Sequence, residues 1–187
     1  MDGLSTPGLA VNSIVSGNLV KGNANGILIS DETWESRGNL VIHNISKDNP
    51  LDCDIVLASH PPSGHATLPF ASHFGVHHNT VADNVSAEHG LQKGGARVAL
   101  FTDGQDASRT SDNVIIRNKL TGNGLGGVTL HTDVGSNFGL PADNMDGNMI
   151  IGNFISGNLA DQADTATPAA WESTSIAVRA VRQFAVP

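Results

Sequence analysis

Apolar residues along this chain follow a short alternating beat broken by Asn and Gly, and nowhere settle onto the period of an amphipathic helix. The stretch NLVIHNISKDN sets Asn39, Asn44 and Asn49 five residues apart. The spacing recurs in NTVADNVSAEH (Asn79, Asn84, then His89), in NVIIRNKLTGN (Asn113, Asn118, Asn123) and in NMIIGNFISGN (Asn148, Asn153, Asn158). An earlier copy, SIVSGNLVKGN, keeps Asn18 and Asn23 but starts on Ser13. An aliphatic residue sits two places after the first Asn position, at Val15, Val41, Val81, Ile115 and Ile150. A second follows the next Asn, at Val20, Leu120 and Ile155, or one place earlier at Ile45 and Val85. A third alternating segment closes each copy: Ile27/Ile29, Ile55/Leu57, Val98/Leu100, Val128/Leu130 and Ile176/Val178. The pattern predicts three short strands per copy, separated by Asn- and Gly-bearing turns, with no long helix.

Segments this short bury their apolar sides only by stacking copy upon copy. Equivalent Asn residues then form columns at the inter-strand spacing of about 4.8 Å, where each side-chain amide donates to one neighbour and accepts from the other. They are also expected to take the left-handed backbone of the corners. The N-x-[VI]-x-x-N-x-[VIL]-x-x-N pattern followed by G-[VI]-x-[IL], as in NANGILIS and NGLGGVTL, resembles the parallel β-helix repeat proteins of the pectate-lyase-like superfold over residues 10 to 160. The resemblance implies an all-β, right-handed parallel β-helix; this sequence offers about five to six coils and no obvious capping helix, where the family's enzymes usually have more coils and a cap. It forms a single domain over 1–187 or a fragment of a longer solenoid, and GLAV reads as the last strand of an earlier coil. The superfold hosts lyases, glycoside hydrolases, epimerases, copper-handling periplasmic proteins and adhesins, so the fold leaves function open.

The first Asn positions lie 26, 40, 34 and 35 residues apart, counting from Ser13, and the excess length follows the third strand each time. The insertions DETWESRG, SHPPSGHATLPFASHFG, TDGQDASRTSD and HTDVGSNFGLPADNMDG therefore emerge along one side, where repeat proteins commonly bind. Aligned on the third strand, Ser30, Ala58, Phe101 and His131 share one position, and Glu32, His60, Asp103 and Asp133 share another two residues on. Asp103 and Asp133 in adjacent coils would stand about 5 Å apart, near enough for a retaining-glycosidase pair or a shared Ca²⁺. His131 is then placed as proton shuttle or ligand, with Glu32 and His60 as substrate contacts. By the resemblance, Arg179 one coil further along would neutralise a uronate carboxylate. The equally open reading of TDG at 102–104 is an ordinary turn. Five of the eight His (60, 65, 73, 77 and 78) crowd the longest insertion without a closed zinc spacing.

Composition narrows the choice. The 21 Gly fit many tight turns, and a formal charge of −8 disfavours nucleic acid and anionic membrane surfaces. No apolar run is long enough to span a bilayer, and MDGLSTPGLAV lacks a secretion signal although the resemblance implies a secreted or periplasmic protein. The single Cys53 excludes an internal disulfide and reads as a buried apolar strand residue. The expected partner is a polysaccharide or glycan, handled by a polysaccharide lyase or glycoside hydrolase-like site, with homo-oligomers forming through uncapped solenoid ends. The alternatives are a non-catalytic structural or binding module of an exported protein, and a metal-handling periplasmic β-helix protein.

Overall fold

The computed structural model describes residues 4–7, 10–32, 34–49, 53–60, 74–87, 96–102, 109–122, 126–132 and 145–157, excepting the side chains of 4–7, 131 and 132. The described residues form parallel sheets and no α-helix, an architecture compatible with a parallel β-solenoid. The first sheet takes β2 (Ile14–Ser16), β6 (Leu40–Ile42), β10 (Thr80–Ala82), β14 (Val114–Ile116) and β17 (Met149–Ile151). The second takes β3 (Leu19–Lys21), β7 (Ile45–Lys47), β11 (Val85–Ala87), β15 (Lys119–Thr121) and β18 (Phe154–Ser156). The third takes β1 (Leu4–Pro7), β4 (Ile27–Ser30), β8 (Ile55–Ser59), β12 (Val98–Thr102) and β16 (Val128–Thr132). These are the three segments per copy that the pattern predicts, in the predicted register: Val15, Val41, Val81, Ile115 and Ile150 are cross-strand partners. A fourth, three-stranded sheet was not foreseen. It joins β5 (Ser36–Arg37), β9 (Val76–His77) and β13 (Thr110–Ser111) just ahead of the first Asn column.

The strand of the earliest layer is Leu4–Pro7, paired Leu4↔Ile27; of GLAV only Ala10 and Val11 are described, and Val11 bridges to Arg37 beside the fourth sheet. Cys53 is buried as expected but stands before β8, where its sulfur accepts the Ala96 N–H. His89, Asn123, Asn158, Ile176 and Val178 lie outside the described residues.

Asn columns hold the layers together. Asn84 Oδ1 accepts both the backbone N–H (2.9 Å) and the side-chain N–H (3.0 Å) of Asn44. The Asn84 amide nitrogen in turn donates to Asn118 Oδ1 at 3.0 Å and to the Val41 carbonyl at 2.9 Å. One side chain thereby satisfies two main-chain groups of the preceding layer and links to the carboxamide of the next, and the ladder continues through Asn18, Asn44, Asn118 and Asn153 and in the column of Asn39, Asn79, Asn113 and Asn148. The left-handed residue, however, is the one before each ladder Asn. Gly17 and Gly152 take it freely, whereas His43, Asp83 and Arg117 take it with φ of 53 to 57°. The ladder Asn is thus freed from the corner and turned inward.

The core corrects one reading of the pattern. Ile45 is 45% exposed and Val85 points outward; Ser46 and Ser86 face the interior in line with Val20, Leu120 and Ile155. The cause is a buried ion pair. Arg97 Nη1 lies 2.8 Å from Asp54 Oδ2 with both side chains fully buried. Ser46 Oγ and Asn49 Nδ2 donate to Asp54 Oδ1 at 2.9 and 3.0 Å, and Ser86 Oγ donates to Oδ2. Arg97 Nη2 reaches the Gly122 carbonyl, while Nε has no hydrogen-bond partner among the described residues. An isolated charge here would be prohibitive to bury, so the two serines replace aliphatic side chains to complete the shell. A Cβ on Gly26, one layer below Asp54, would collide with the Asp54 carbonyl and the Ser46 hydroxyl.

Two stability changes follow. Arg97→Met, which strands the Asp54 carboxylate, is expected to cost about 3–5 kcal/mol. Asn84→Ala deprives two buried donors of their acceptor and is expected to cost about 2–4 kcal/mol, against under about 1 kcal/mol for Asn23→Ala near the edge. Urea unfolding at constant m-value measures both; equal losses at Asn84 and Asn23 would contradict the ladder's role.

Candidate functional site

The third strands end where the insertions leave, and ionisable and aromatic side chains gather there. The chain passes from β4 through Asp31 and Glu35 to β5, and from β8 through Ser59 and His60 toward β9. Asp31 is fully buried, accepting Ser59 Oγ at Oδ2 and the His60 N–H at Oδ1, both at 2.7 Å. Burial pushes its carboxyl pKa up, against the lowering effect of those hydrogen bonds. Ser59 Oγ also accepts the Arg109 N–H at 3.1 Å, tying the approach to β13 to the same carboxylate.

Beside this anchor, Glu35, His77 and Arg109 meet. His77 Nε2 lies 3.3 Å from Glu35 Oε2 and 3.1 Å from Arg109 Nη2, and Glu35 Oε1 takes the Arg37 Nε–H at 2.8 Å. His77 Nδ1 faces His78 Nδ1 at 2.8 Å. A single ring nitrogen serves only one of its two neighbours at a time: protonated, Nε2 donates to Glu35; bare, it accepts from Arg109. Desolvation, then the Arg109 and His78 charges, lower the His77 pKa, so the ring is neutral near pH 7. For Glu35, desolvation raises the pKa, but the Arg37 hydrogen bond and charge outweigh it and hold the carboxylate ionised. Arg109 Nε is buried without a hydrogen-bond partner among the described residues. Gly75, at φ 135°, leaves the space that the Arg109 stem fills, and any side chain there would strike it.

Aromatic rings flank the cluster. Trp34 and Phe74 have centroids 6.0 Å apart and His60 and Phe101 5.2 Å apart, both pairs tilted.

Of the residues singled out in the sequence, two are described with their side chains. Glu32 is exposed and accepts from Ser30 Oγ at 3.4 Å; His60 is half-buried against Phe101; no contact joins the two. The alignment behind them holds as far as pairing runs, through Ser30↔Ala58, Phe101↔Ala58 and Phe101↔His131. The His131 side chain, Asp103, Asp133 and Arg179 lie outside the described residues, as does the Ca²⁺ site placed on Asp103 and Asp133. Among the described residues, no three His, Cys, Asp or Glu side chains gather as a metal site.

Sequence reasoning missed Glu35, His77 and Arg109 as a group, although the signal was there. Counting back four residues from the first Asn column gives Glu35, Gly75 and Arg109; counting back two gives Arg37, His77 and Ser111. Comparison with protein-family models, with curated proteins and with solved structures gives no match.

Of the three perturbed groups, His77 and Asp31 work in opposite senses. A lowered His77 pKa means the unfolded chain binds more protons just below about pH 6.5, so its contribution is complete above that pH and is lost as pH falls. A raised Asp31 pKa means the folded chain holds the extra proton, so Asp31 costs stability as pH rises above about 3.9. His77→Gln is therefore expected to flatten the loss of stability of the wild type between about pH 6.5 and 5. Chemical denaturation at both pH values reads this, and an unchanged slope would contradict it.

Proposed function

We propose that the chain is a right-handed parallel β-helix of the pectate-lyase-like kind, with five to six coils, acting on a carbohydrate polymer along the face where the insertions emerge. The observation that carries this reading is the Glu35–His77–Arg109 constellation, set beside the Trp34/Phe74 and His60/Phe101 pairs. A neutral imidazole next to a guanidinium is what β-elimination from a uronate needs. Arg109 would neutralise the substrate carboxylate, and His77 would take the proton beside it. A carbon–carbon double bond then forms as the glycosidic carbon–oxygen bond breaks, and the leaving oxygen is protonated by water. Glu35 orients His77 and stabilises the imidazolium that results. Aromatic faces suit the apolar sides of sugar rings. Glycoside hydrolase chemistry remains the variant in which Asp103 and Asp133 act.

A second reading rests on the burial of His77, which is 6% exposed. In it the cluster fastens the corner and the face binds glycan without cleaving it.

Turnover of a panel of acidic and neutral polysaccharides, followed by ultraviolet absorbance of unsaturated ends and by new reducing ends, separates them. The lyase reading expects unsaturated product, a fall of at least about 100-fold in His77→Ala, and activity that is lost on acidification only at a pH below the ordinary imidazole value of about 6.5. Glycan binding without any product establishes the second reading. Product formation unaffected by His77→Ala and Arg109→Met overturns the assignment of these residues.

A further inference from the structure

The outward faces of the first and second sheets carry many apolar side chains, with Thr80 and the lysines Lys21, Lys47 and Lys119 among them. Ile14, Leu19, Ile45, Met149, Ile151 and Phe154 are 44–69% exposed, and Leu40, Ile42, Val114 and Ile116 are half-exposed between them. The strand register arranges them in columns: Ile14, Leu40, Thr80, Val114 and Met149 in one, Ser16, Ile42, Ala82, Ile116 and Ile151 in the next, and Leu19, Ile45, Val85, Lys119 and Phe154 across the corner. The third sheet offers a contrast. Its outward residues Leu28, Val56 and Ala99 are buried in a second apolar cluster. Only the first two sheets leave such a surface to solvent among the described residues.

We propose that this face is the interface of a two-fold dimer with a second copy of the chain. Size is the first argument. At roughly 200 Å² for a fully exposed side chain of this kind, the six most exposed residues alone offer about 600–700 Å². That approaches the roughly 800 Å² each partner gives to a standard interface, and the half-exposed residues supply the remainder. Periodicity is the second argument. The face is ridged at the strand spacing of about 4.8 Å over five strands, and a partner meshes with it throughout only if it carries the same period, as a second copy does. Charge is the third. Two acidic residues at the corners of this face are closed into ion pairs between layers, Asp83 with Arg117 at 2.7 Å and Asp48 with Lys21 at 3.2 Å. A chain of net charge −8 therefore presents here a surface on which copies meet without their carboxylates opposed. Face-to-face contact of identical surfaces closes at two subunits, unlike strand pairing through solenoid ends, which propagates.

Sedimentation velocity over about 1–100 µM tests this. The expected result is a concentration-dependent monomer–dimer equilibrium that stops at two, shifted at least 100-fold toward monomer in Leu19→Glu/Phe154→Glu. Both positions are outward and exposed, so the variant's circular dichroism, and its thermal unfolding at concentrations where the wild type is monomeric, are expected to match the wild type. A monomer throughout the range, open-ended oligomers, or a dimer untouched by the double substitution each overturns the proposal. If the double variant fails to fold, Ile14→Lys and Met149→Lys singly carry the same test.

Discussion

Stacked short strands face one recurring problem: at every corner the chain turns away from its neighbour, and main-chain donors would be buried unsatisfied. The Asn ladder solves it with a single residue type. In the middle of the stack the Asn84 carboxamide oxygen takes two donors from the layer before it, and its amide nitrogen gives two hydrogen bonds, one to the next carboxamide and one to a strand carbonyl. The left-handed step is delegated to the preceding residue, which explains why that position tolerates His43, Asp83 and Arg117 as well as glycine. Strand register, core alignment and the side from which the insertions emerge all follow from this arrangement.

Most of the fold was legible because the ladder and the core are written at fixed intervals. Val41, Val81 and Ile115 announce themselves by spacing, and their burial follows. Two features were hidden for a physical reason: they are exceptions to the periodicity that revealed the rest. Ile45 and Val85 looked like core residues because a hydrophobic side chain is the usual tenant of the interior, whereas Ser46 and Ser86 occupy it to solvate a charge. The ion pair itself sits one place before the third strand, in a column that reads Gly26, Asp54, Arg97, Gly127. Opposite charges at adjacent equivalent positions, between two glycines, carried the information; hydrophobic periodicity did not.

The site shows the same division. Glu32 and His60 emerged from alignment on the third strand, but that frame ends with the strand, and insertions of different length follow it. Glu35, His77 and Arg109 belong to the frame of the next Asn column, approached from the other side of the insertions. A repeat with variable insertions thus carries two registers, one on each bank. Residues that meet across an insertion become visible only when both are used. The corner is also tied down, since buried Asp31 and Ser59 join the chain segments beside the constellation.

Solenoids usually lengthen or shorten by gaining or losing whole repeats, because each layer needs only its neighbours. The Asp54–Arg97 pair withdraws that freedom from the middle of this one. Its shell draws Ser46, Asn49 and Asp54 from one repeat, Ser86 and Arg97 from the next, and the Gly122 carbonyl from the one beyond. A repeat inserted between the first two would part the charges by a further strand spacing and leave both in a dry interior. Duplication, recombination or engineered extension of the chain is confined to either side of this point, so the ion pair makes an otherwise modular stack indivisible at its centre.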